Sequence, residues 1–546
     1  MHRMQRPAGD PPSAHVDTFA RQRLPPPQAL PEFIFDGPAL QFPARLNCAS
    51  LLLDERVAHG DGARLCIQGV GLRWSYVELQ AQANRIARVL VEDMGLVPGN
   101  RVLLRSANSP MLAACWFAVV KAGGIAVGSM PMLRARELAA ITHKAQVSHA
   151  LCDAHLAEEL WAAQAQCPTL RQIKLWGGEL EALAARKPPT FDNVDTAADD
   201  TCVIAFTSGT TGVPKGTMHF HRDLMAACAC WPPQVLRPTP SDVFIGSPPL
   251  AFTFGLGGLL LFPLSVGAST VLVEQTAPGA LLPAIAQYGA TVCFTAPTSY
   301  RAMALQINEA PARYDLHTLR KCVSAGEVLP AATRALWKQA SGIELIDGIG
   351  STELLHIFIS ADEAHARPGA TGVPVPGYRA VVLGEDGREM PQGQVGRLAV
   401  KGPTGCKYLD DPRQATYVQN GWNLTGDAYL VDTDGQFVYQ ARTDDMIVSG
   451  GYNIAGPEVE GALLLHPAVA ECGVVGHPDE ARGMVVKAFV VLKPSFTPDE
   501  AMARALQDFV KQTIAPYKYP RVLVFRDSLP RTETGKLQRF RLKDHV

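Results

Sequence analysis

One short loop limits most strongly how this chain can fold. It runs from Phe206 to Gly216 with the sequence FTSGTTGVPKG and combines three glycines, several hydroxyl side chains and Lys215. Glycines let the backbone turn sharply and approach a ligand closely, and successive exposed N–H groups form an anion-binding nest. Residues 201–206 are typical of a buried strand. A strand followed by such a loop is typical of a phosphate-binding site.

The loop differs from a Walker A motif, which requires Gly-x4-Gly-Lys-Ser/Thr. The only Gly-Lys pair, Gly535-Lys536, is followed by Leu537. A stretch rich in glycine and threonine is also typical of a polar surface turn. The full string from Thr207 to Gly216 is far more specific than such a turn requires.

Length and composition exclude several classes of protein. A chain of 546 residues is too long for one core and predicts two or more domains. Its hydrophobic content of 47% and charged content of 19% are typical of a soluble globular protein. The net charge of −2 gives no electrostatic argument for nucleic acid or an anionic membrane as a partner. The twelve cysteines are scattered without a Cys-x-x-Cys pair, which favours reduced thiols over disulfides or a zinc site.

Two segments could be mistaken for targeting or membrane signals. Residues 1–31 are rich in proline and arginine but lack the apolar stretch of a signal peptide, so we expect a loosely ordered tail and a cytoplasmic protein. Residues 254–273 are apolar but contain several glycines and Pro263. A buried helix followed by a strand explains this segment better than a membrane helix.

Apolar strand-like segments alternate with helical ones along most of the chain, as residues 101–105 and 110–122 illustrate. This alternation predicts an α/β fold with mainly parallel sheets. After about residue 445 the pattern predicts a compact α+β module of about 100 residues. The expected division is a Pro-rich N-terminal tail (1–31), a large multi-subdomain N-terminal domain (32–443) and a small C-terminal domain (444–546).

Five further segments follow the loop in order: SAGE (324–327), DGIGSTE (347–353), GWNLTGD (421–427), RTDD (442–445) and LPRTETGK (529–536). Together with the loop they resemble the adenylate-forming superfamily of acyl-CoA synthetases, luciferases and peptide-synthetase adenylation domains. The resemblance covers nearly the whole chain. It implies a large AMP-binding domain, a small mobile C-terminal domain, and ATP, Mg²⁺ and coenzyme A as cofactors.

The chemistry of that superfamily explains why these residue types are needed. A carboxylate is a poor electrophile, and joining it to AMP provides a good leaving group. The site must therefore hold polyphosphate and magnesium and neutralise charge on the transferring group. The nucleotide-binding residues that the resemblance implies are Thr207, Ser208, Gly209, Thr210, Thr211, Lys215, Ala325, Gly326, Glu327, Asp347, Gly348, Asp427 and Arg442.

The resemblance also assigns individual roles within the site. Thr352 would contact phosphate, and Glu353 would help bind Mg²⁺, a cation that prefers oxygen ligands. Asp427 would accept the ribose hydroxyls, and Arg442 would contact ribose or phosphate. Where many relatives stack an aromatic residue on adenine this chain has Ile349, so Asp347 is an alternative partner for the base.

The C-terminal segments imply a two-step reaction. Lys536 would bridge the acid's carboxylate and the α-phosphate during adenylation. The small domain would then rotate about the hinge residue Asp444 and bring Gly450, Gly451 and Tyr452 to the coenzyme A tunnel.

Residues 249–258 and 353–360 resemble the benzoate–CoA ligase branch, most closely its 2-aminobenzoate–CoA ligase members. Phe254 stands where benzoate enzymes carry tyrosine and Thr253 where they carry alanine, so the ring substituent stays open. Core packing is the other interpretation of Phe254 and His356. The implied substrate-binding residues are Thr253, Phe254, Ala325, Gly350, His356 and Ile357.

The sequence thus predicts an ATP-dependent aryl-acid–CoA ligase whose partners are small molecules; a homodimer stays open. One alternative is an adenylating enzyme for another acid or acceptor. Another is a catalytically silent protein with the same fold, against which Lys536, Glu353 and Asp427 argue. A third observation is the His-x-His-x-Asp pattern from His219 to Asp223, which matches a metal-ligand pattern of some hydrolases.

Overall fold

A computed structural model describes residues 12–207, 214–442, 445–449, 452–479, 482–514, 516–531 and 537–543. The strands of this part of the chain are β1 (Leu65–Gly69), β2 (Leu72–Ser75), β3 (Arg101–Arg105), β4 (Ile125–Ser129), β5 (His149–Asp153), β6 (Gln172–Trp176), β7 (Thr201–Thr207), β8 (Lys215–Phe220), β9 (Val243–Gly246), β10 (Ser269–Val271), β11 (Val292–Thr295), β12 (Lys321–Ser324), β13 (Leu345–Gly350), β14 (Ile357–Ser360), β15 (Val373–Pro374), β16 (Arg379–Leu383), β17 (Gly396–Lys401), β18 (Val418–Gln419), β19 (Trp422–Val431), β20 (Phe437–Arg442), β21 (Ile447–Ser449), β22 (Tyr452–Ile454), β23 (Val469–Asp479), β24 (Gly483–Leu492) and β25 (Val522–Phe525).

The α-helices of the same residues are α1 (Phe19–Gln22), α2 (Glu55–Ala58), α3 (Tyr76–Arg88), α4 (Pro110–Lys121), α5 (Ala135–Ala145), α6 (Ala157–Gln164), α7 (Glu179–Ala184), α8 (His221–Trp231), α9 (Thr253–Leu256), α10 (Phe262–Ser265), α11 (Pro278–Tyr288), α12 (Pro297–Glu309), α13 (Ala331–Ser341), α14 (Gln414–Tyr417), α15 (Gly456–Leu464), α16 (Glu500–Thr513) and α17 (Arg539–Lys543). The predicted helix-then-strand pattern of residues 254–273 is confirmed by α9, α10 and β10. Among the described helices, none combines the length and apolar character that crossing a bilayer requires.

The large N-terminal domain contains two mainly parallel sheets and one antiparallel sheet. One sheet has the order β6-β5-β3-β4-β7-β8 and the second β15-β14-β13-β12-β11-β9-β10-β1-β2. Strands β16 to β20 form the antiparallel sheet, and the small C-terminal domain is built on β21 to β25. This α/β architecture with a small α+β domain confirms the predicted fold class. Because β9, β11, β12 and β13 run parallel, the residues that follow them meet at one edge, where ligands bind in open α/β sheets.

Helix α4 explains how the two mainly parallel sheets share a core. Ser109 caps its N-terminus by accepting a hydrogen bond from the Leu112 N–H, and Pro110 occupies the first turn, where a missing N–H costs nothing. Nearly every side chain from Pro110 to Lys121 is buried, so the helix packs on all sides. It joins the core cluster that contains residues of both sheets.

The N-terminal segment requires a correction. We expected a loosely ordered tail over residues 1–31, but residues 12–31 pack on the large domain. The Ala14 N–H donates to Asp200 at 2.9 Å, and Arg21 pairs with Asp199 at 3.0 Å. Ala20 is fully buried in the core cluster that includes β3 and β5. The prediction rested on the high proline content of this segment. A proline-rich segment can still pack on a folded domain through a few ion pairs and one buried turn.

Candidate functional site

The glycine-rich loop is carried by a hairpin of β7 and β8, in which Thr207 pairs with Lys215. Thr207 and Lys215 are half-buried at the mouth of the hairpin. The loop residues Ser208, Gly209, Thr210 and Thr211 lie outside the described residues. The hairpin therefore fixes both ends of the loop at the carboxyl end of β7, which runs parallel to β4.

A chain of polar contacts joins Lys215 to the carboxylate predicted to bind magnesium. The Lys215 Nζ lies 3.4 Å from the Tyr408 hydroxyl, which donates to Glu353 Oε1 at 2.5 Å. Glu353 is 7% exposed, so its position is set by packing as well as by this hydrogen bond. A fixed carboxylate near a lysine and a phosphate-type loop can bind a hard cation.

His219 ties the hairpin to the segment that contains Thr352. The neutral ring donates from Nε2 to the Thr352 carbonyl at 2.8 Å. Burial lowers the pKa of His219 to about 3, and the nearby Lys407 ammonium acts in the same direction. Lys407 forms a fully buried ion pair with Asp223 at 2.8 Å. His219 and Lys407 were not predicted as site residues, because only the fold brings positions this far apart in sequence together.

The predicted adenine-binding residues follow β12 and lie along β13. Ala325 is buried, Gly326 has a φ of 88°, and Glu327 is half-buried. A φ of this sign favours glycine and exposes the turn's backbone. Asp347 and Ser324 are partners in the parallel register of β12 and β13. Burial raises the pKa of Asp347 to about 7, although Arg334 offsets part of the effect.

Asp427 and Arg442 occupy opposite positions on the antiparallel strands β19 and β20. The Arg442 Nη1 donates to Asp427 Oδ1 at 3.1 Å and to the Thr425 carbonyl at 3.0 Å. Burial raises the pKa of Asp427, and the Arg442 guanidinium offsets this only in part. The pair therefore presents a partly compensated carboxylate, which suits acceptance of hydroxyl hydrogen bonds.

Two of the residues predicted to bind the aryl ring belong to an aromatic cluster, of which the sequence analysis identified only these two, Phe254 and His356. The His356 ring centroid lies 4.5 Å from that of Phe262, 5.5 Å from Phe254, 5.8 Å from Trp231 and 6.5 Å from Phe294. Phe254 is half-buried, whereas Thr253, Ala325, His356 and Ile357 are each at most 6% exposed. Trp231, Phe262 and Phe294 were missed, because an isolated aromatic residue on a helix or strand is typical of any core.

His356 is neutral and has one unused polar atom. Burial lowers its pKa to about 3, and its Nε2 donates to the Phe254 carbonyl at 3.4 Å. In that tautomer Nδ1 is an acceptor, and it has no hydrogen-bond partner among the described residues. A buried acceptor without a partner costs about 1–3 kcal/mol, so a hydrogen-bond donor brought to Nδ1 would stabilise this atom.

Two glycines pack closely against this aromatic cluster. A Cβ at Gly257 would lie 2.3 Å from the His356 ring, and one at Gly258 would lie 2.5 Å from the Phe294 ring. Both glycines belong to a π-helical turn, Gly257–Leu261. A Cβ at Gly350 would lie 2.6 Å from the His356 carbonyl oxygen, so glycine here permits close approach of β13 and β14, and its predicted contact with the substrate stays a prediction.

Four predicted functional positions of the C-terminal region lie outside the described residues, namely Lys536, Asp444, Gly450 and Gly451. Tyr452 begins β22. Contacts of other residues show how the small domain docks. Arg301 of α12 donates to the Val469 and Ala470 carbonyls at 3.3 Å, and Arg531 lies 3.8 Å from Glu327 beside the adenine turn.

The His-x-His-x-Asp metal pattern is not assembled as a three-ligand site. His219 and Asp223 are 3.9 Å apart, but His221 contacts Cys48 instead. Within the described chain, the group of potential metal ligands that comes together is Cys48, Cys202 and His221.

Comparisons with known proteins find similar chains over nearly the whole sequence. Residues 53–408 match the AMP-binding enzyme family, and residues 458–536 match the AMP-binding enzyme C-terminal domain. A benzoate–CoA ligase of Thauera aromatica is 35% identical over 93% of this chain and 97% of its own length. The mitochondrial acyl-coenzyme A synthetase ACSM3 of Mus musculus is 32% identical over 87% of this chain and 84% of its own. The crystal structure of the anthranilate CoA ligase AuaEII with anthranoyl-AMP superposes with a TM-score of 0.89 at 34% identity, covering 93% of this chain and 99% of that one.

The raised pKa of Asp347 predicts a pH-dependent stability. Its ordinary value is 3.8 and its folded value is about 7, so the folded chain holds this proton more tightly than the unfolded chain. The stabilising contribution is complete below about pH 4 and is lost as pH rises to about 7. Asp347→Asn lacks this titration, so the Tm of the variant minus that of the wild type should rise between pH 4 and pH 8 in thermal unfolding.

Asp386→Asn is the control, because the Asp386 side chain is 63% exposed. Its Tm difference from the wild type should stay constant over the same pH range. A constant difference for Asp347→Asn as well would contradict a raised pKa at this position.

Proposed function

The chain belongs to the AMP-binding enzyme family, and we propose that within it the protein is an ATP-dependent aryl-acid–CoA ligase acting on 2-aminobenzoate or benzoate. Its similarity to benzoate–CoA ligase and to acyl-coenzyme A synthetases makes the chain an AMP-forming acid–thiol ligase that uses ATP, Mg²⁺ and coenzyme A. The observation that carries the aryl assignment is the cluster of rings around His356, with the half-buried Phe254 at its edge. A flat apolar acid gains about 0.5–1.5 kcal/mol from such a ring beyond the burial of its surface.

The nucleotide half of the proposal rests on the charged groups around the hairpin. Lys215 and the loop would hold the phosphates, and Asp427 would accept the ribose hydroxyls. The donor set fits Mg²⁺, since Glu353 is an oriented carboxylate with one oxygen engaged by Tyr408. When bound, the cation would neutralise phosphate charge. Thr352, whose carbonyl accepts from His219, is placed by that contact and would add a hydroxyl toward phosphate.

For the adenylation step we propose that Lys536 neutralises the charge that develops between the carboxylate and the α-phosphate. The contact of Arg531 with Glu327 supports this role, because it brings the chain five residues before Lys536 to the adenine turn. The small domain would then rotate about Asp444, and residues 450–452 would line the approach of coenzyme A. Under this scheme adenylation requires Lys536, whereas thioester formation requires the domain rotation and residues 450–452.

The unpaired Nδ1 of His356 favours an ortho amino group on the ring. An amino N–H of 2-aminobenzoate would donate to this acceptor, whereas benzoate would leave it unpaired. The likeness to a benzoate–CoA ligase and to a structure holding anthranoyl-AMP supports both acids as candidates. The second candidate function is activation of a non-aromatic acid, because mitochondrial acyl-coenzyme A synthetases are also similar over most of the chain.

A substrate panel tests the proposed function. With ATP, Mg²⁺ and coenzyme A, we expect 2-aminobenzoate and benzoate to give AMP, pyrophosphate and the aryl-CoA, measured by chromatography. Hydroxybenzoates and medium- and long-chain fatty acids complete the panel. ADP and phosphate as primary products would reject the mechanism, and a preference for fatty acids would reject the aryl assignment.

His356→Phe tests the hydrogen bond to the ring substituent. The variant keeps a flat ring among the aromatic neighbours but removes Nδ1, so the ratio of kcat/KM for 2-aminobenzoate to that for benzoate should fall about tenfold or more. Thr253→Val is the matched control, since it removes the other nearby hydrogen-bonding group with little change of shape. A fall with Thr253→Val and none with His356→Phe would assign the contact to Thr253 instead.

Lys536→Ala tests the two-step scheme. Adenylation, measured by ATP–pyrophosphate exchange, should fall about 10²–10³-fold, because charge that develops in the transition state is no longer neutralised. Thioester formation from supplied aryl-AMP should be largely retained. Lys511→Ala, which removes a partly exposed lysine of α16 that pairs with Asp508, should leave both half-reactions unchanged. Equal losses in both half-reactions of Lys536→Ala would contradict the scheme.

A further inference from the structure

Two cysteines and a histidine from distant parts of the chain meet at the base of the β7–β8 hairpin. Cys48 precedes α2, Cys202 lies on β7, and His221 begins α8. One potential ligand atom of each lies within 4.8 Å of the others, and all three side chains are fully buried. We propose that this cluster is a structural binding site for a thiophilic divalent cation, with Zn²⁺ as the best match.

The spacing of the donor atoms suits a zinc ion. Bond lengths of about 2.3 Å to sulfur and 2.0–2.1 Å to nitrogen place tetrahedral ligand atoms about 3.5–3.8 Å apart. The Cys48 Sγ and the His221 Nδ1 are 3.3 Å apart, and the largest separation in the group is at most 4.8 Å. Shifts of about 1 Å or less in the thiols would therefore place the three donor atoms at three of the four corners of a tetrahedron around the ion.

Charge and polarity also favour a divalent ion. Two thiolates and one neutral imidazole compensate a charge of +2 completely, so the site adds no net charge to the interior, where an uncompensated charge is costly. The Nδ1 of His221 accepts a hydrogen bond from the Cys48 N–H at 3.2 Å, which an ion bound to Nδ1 would replace, and Nε2 has no hydrogen-bond partner within the described chain.

The position of the cluster suggests what the ion would do. Thr201 on β7 pairs with Phe220 on β8, so Cys202 and His221 flank the end of the hairpin opposite the glycine-rich loop. Cys48 belongs to the segment that precedes β1 and contacts the hairpin through these groups. The ion would fasten that segment to the hairpin and bind during folding, because all three donor side chains are fully buried. This inference does not depend on the proposed substrate or reaction.

The test is the metal content of the full-length protein. After expression in zinc-supplemented medium, purification under reducing conditions and dialysis, elemental analysis should find one zinc ion per chain. Cys48→Ala and Cys202→Ala should each lower that content at least tenfold. Cys293→Ala should retain it, because Cys293 is an equally buried thiol on a parallel strand outside the cluster.

Two further measurements keep the proposal testable if a variant folds poorly. Wild-type protein expressed with Co²⁺ should show the intense near-ultraviolet absorption of cobalt–thiolate bonds, and denaturation in a chelator should release the metal stoichiometrically. Wild-type protein that carries neither zinc nor cobalt would overturn the proposal. So would a Cys48–Cys202 disulfide in the purified protein, found by mass spectrometry of non-reduced peptides.

Discussion

The hairpin of β7 and β8 is the part on which the candidate site depends, because a glycine-rich loop binds phosphate only if its two ends are held. Polar contacts of the hairpin, and of residues packed against it, hold these two ends in position. His219 donates to the Thr352 carbonyl, Lys407 pairs with Asp223 inside the core, and Lys215 reaches Glu353 through the Tyr408 hydroxyl. Buried polar groups with fixed partners resist displacement, since each lost partner costs about 1–3 kcal/mol. The hairpin that carries the loop is thus held in place largely by side chains outside the loop.

The proposed aryl pocket is built from apolar packing and not from ion pairs. Four aromatic rings surround His356, and two glycines of a π-helical turn let the helix backbone approach those rings closely. Close packing keeps the histidine neutral and leaves one acceptor atom unpaired among the described residues. In such a site a single hydrogen bond can discriminate between ring substituents, because a buried polar atom disfavours every ligand that does not pair with it.

The small domain docks through side chains that touch backbone or the adenine turn. Arg301 donates to two carbonyls of β23, and Arg531 approaches Glu327. Such contacts are polar, as expected of an interface that would open between the two steps of the proposed scheme. The packed N-terminal residues 12–31 contrast with this, since they are fixed to the large domain by ion pairs and by the buried Ala20.

Sequence alone determined the fold class and the positions of the chemical motifs, because strand–helix alternation and glycine-rich strings are local properties of the chain. Those motifs also identified Glu353, Asp427, Phe254 and His356 as candidate site residues. Tertiary structure decided what depends on distant partners. Examples are the neutral state of His219 and the rings of Trp231 and Phe294 beside His356. The close approach of β14 to Gly350 and the proximity of Cys48 to Cys202 were likewise visible only in the folded structure. Spacing along the chain carries no information about these contacts, since they form only when separate segments pack together.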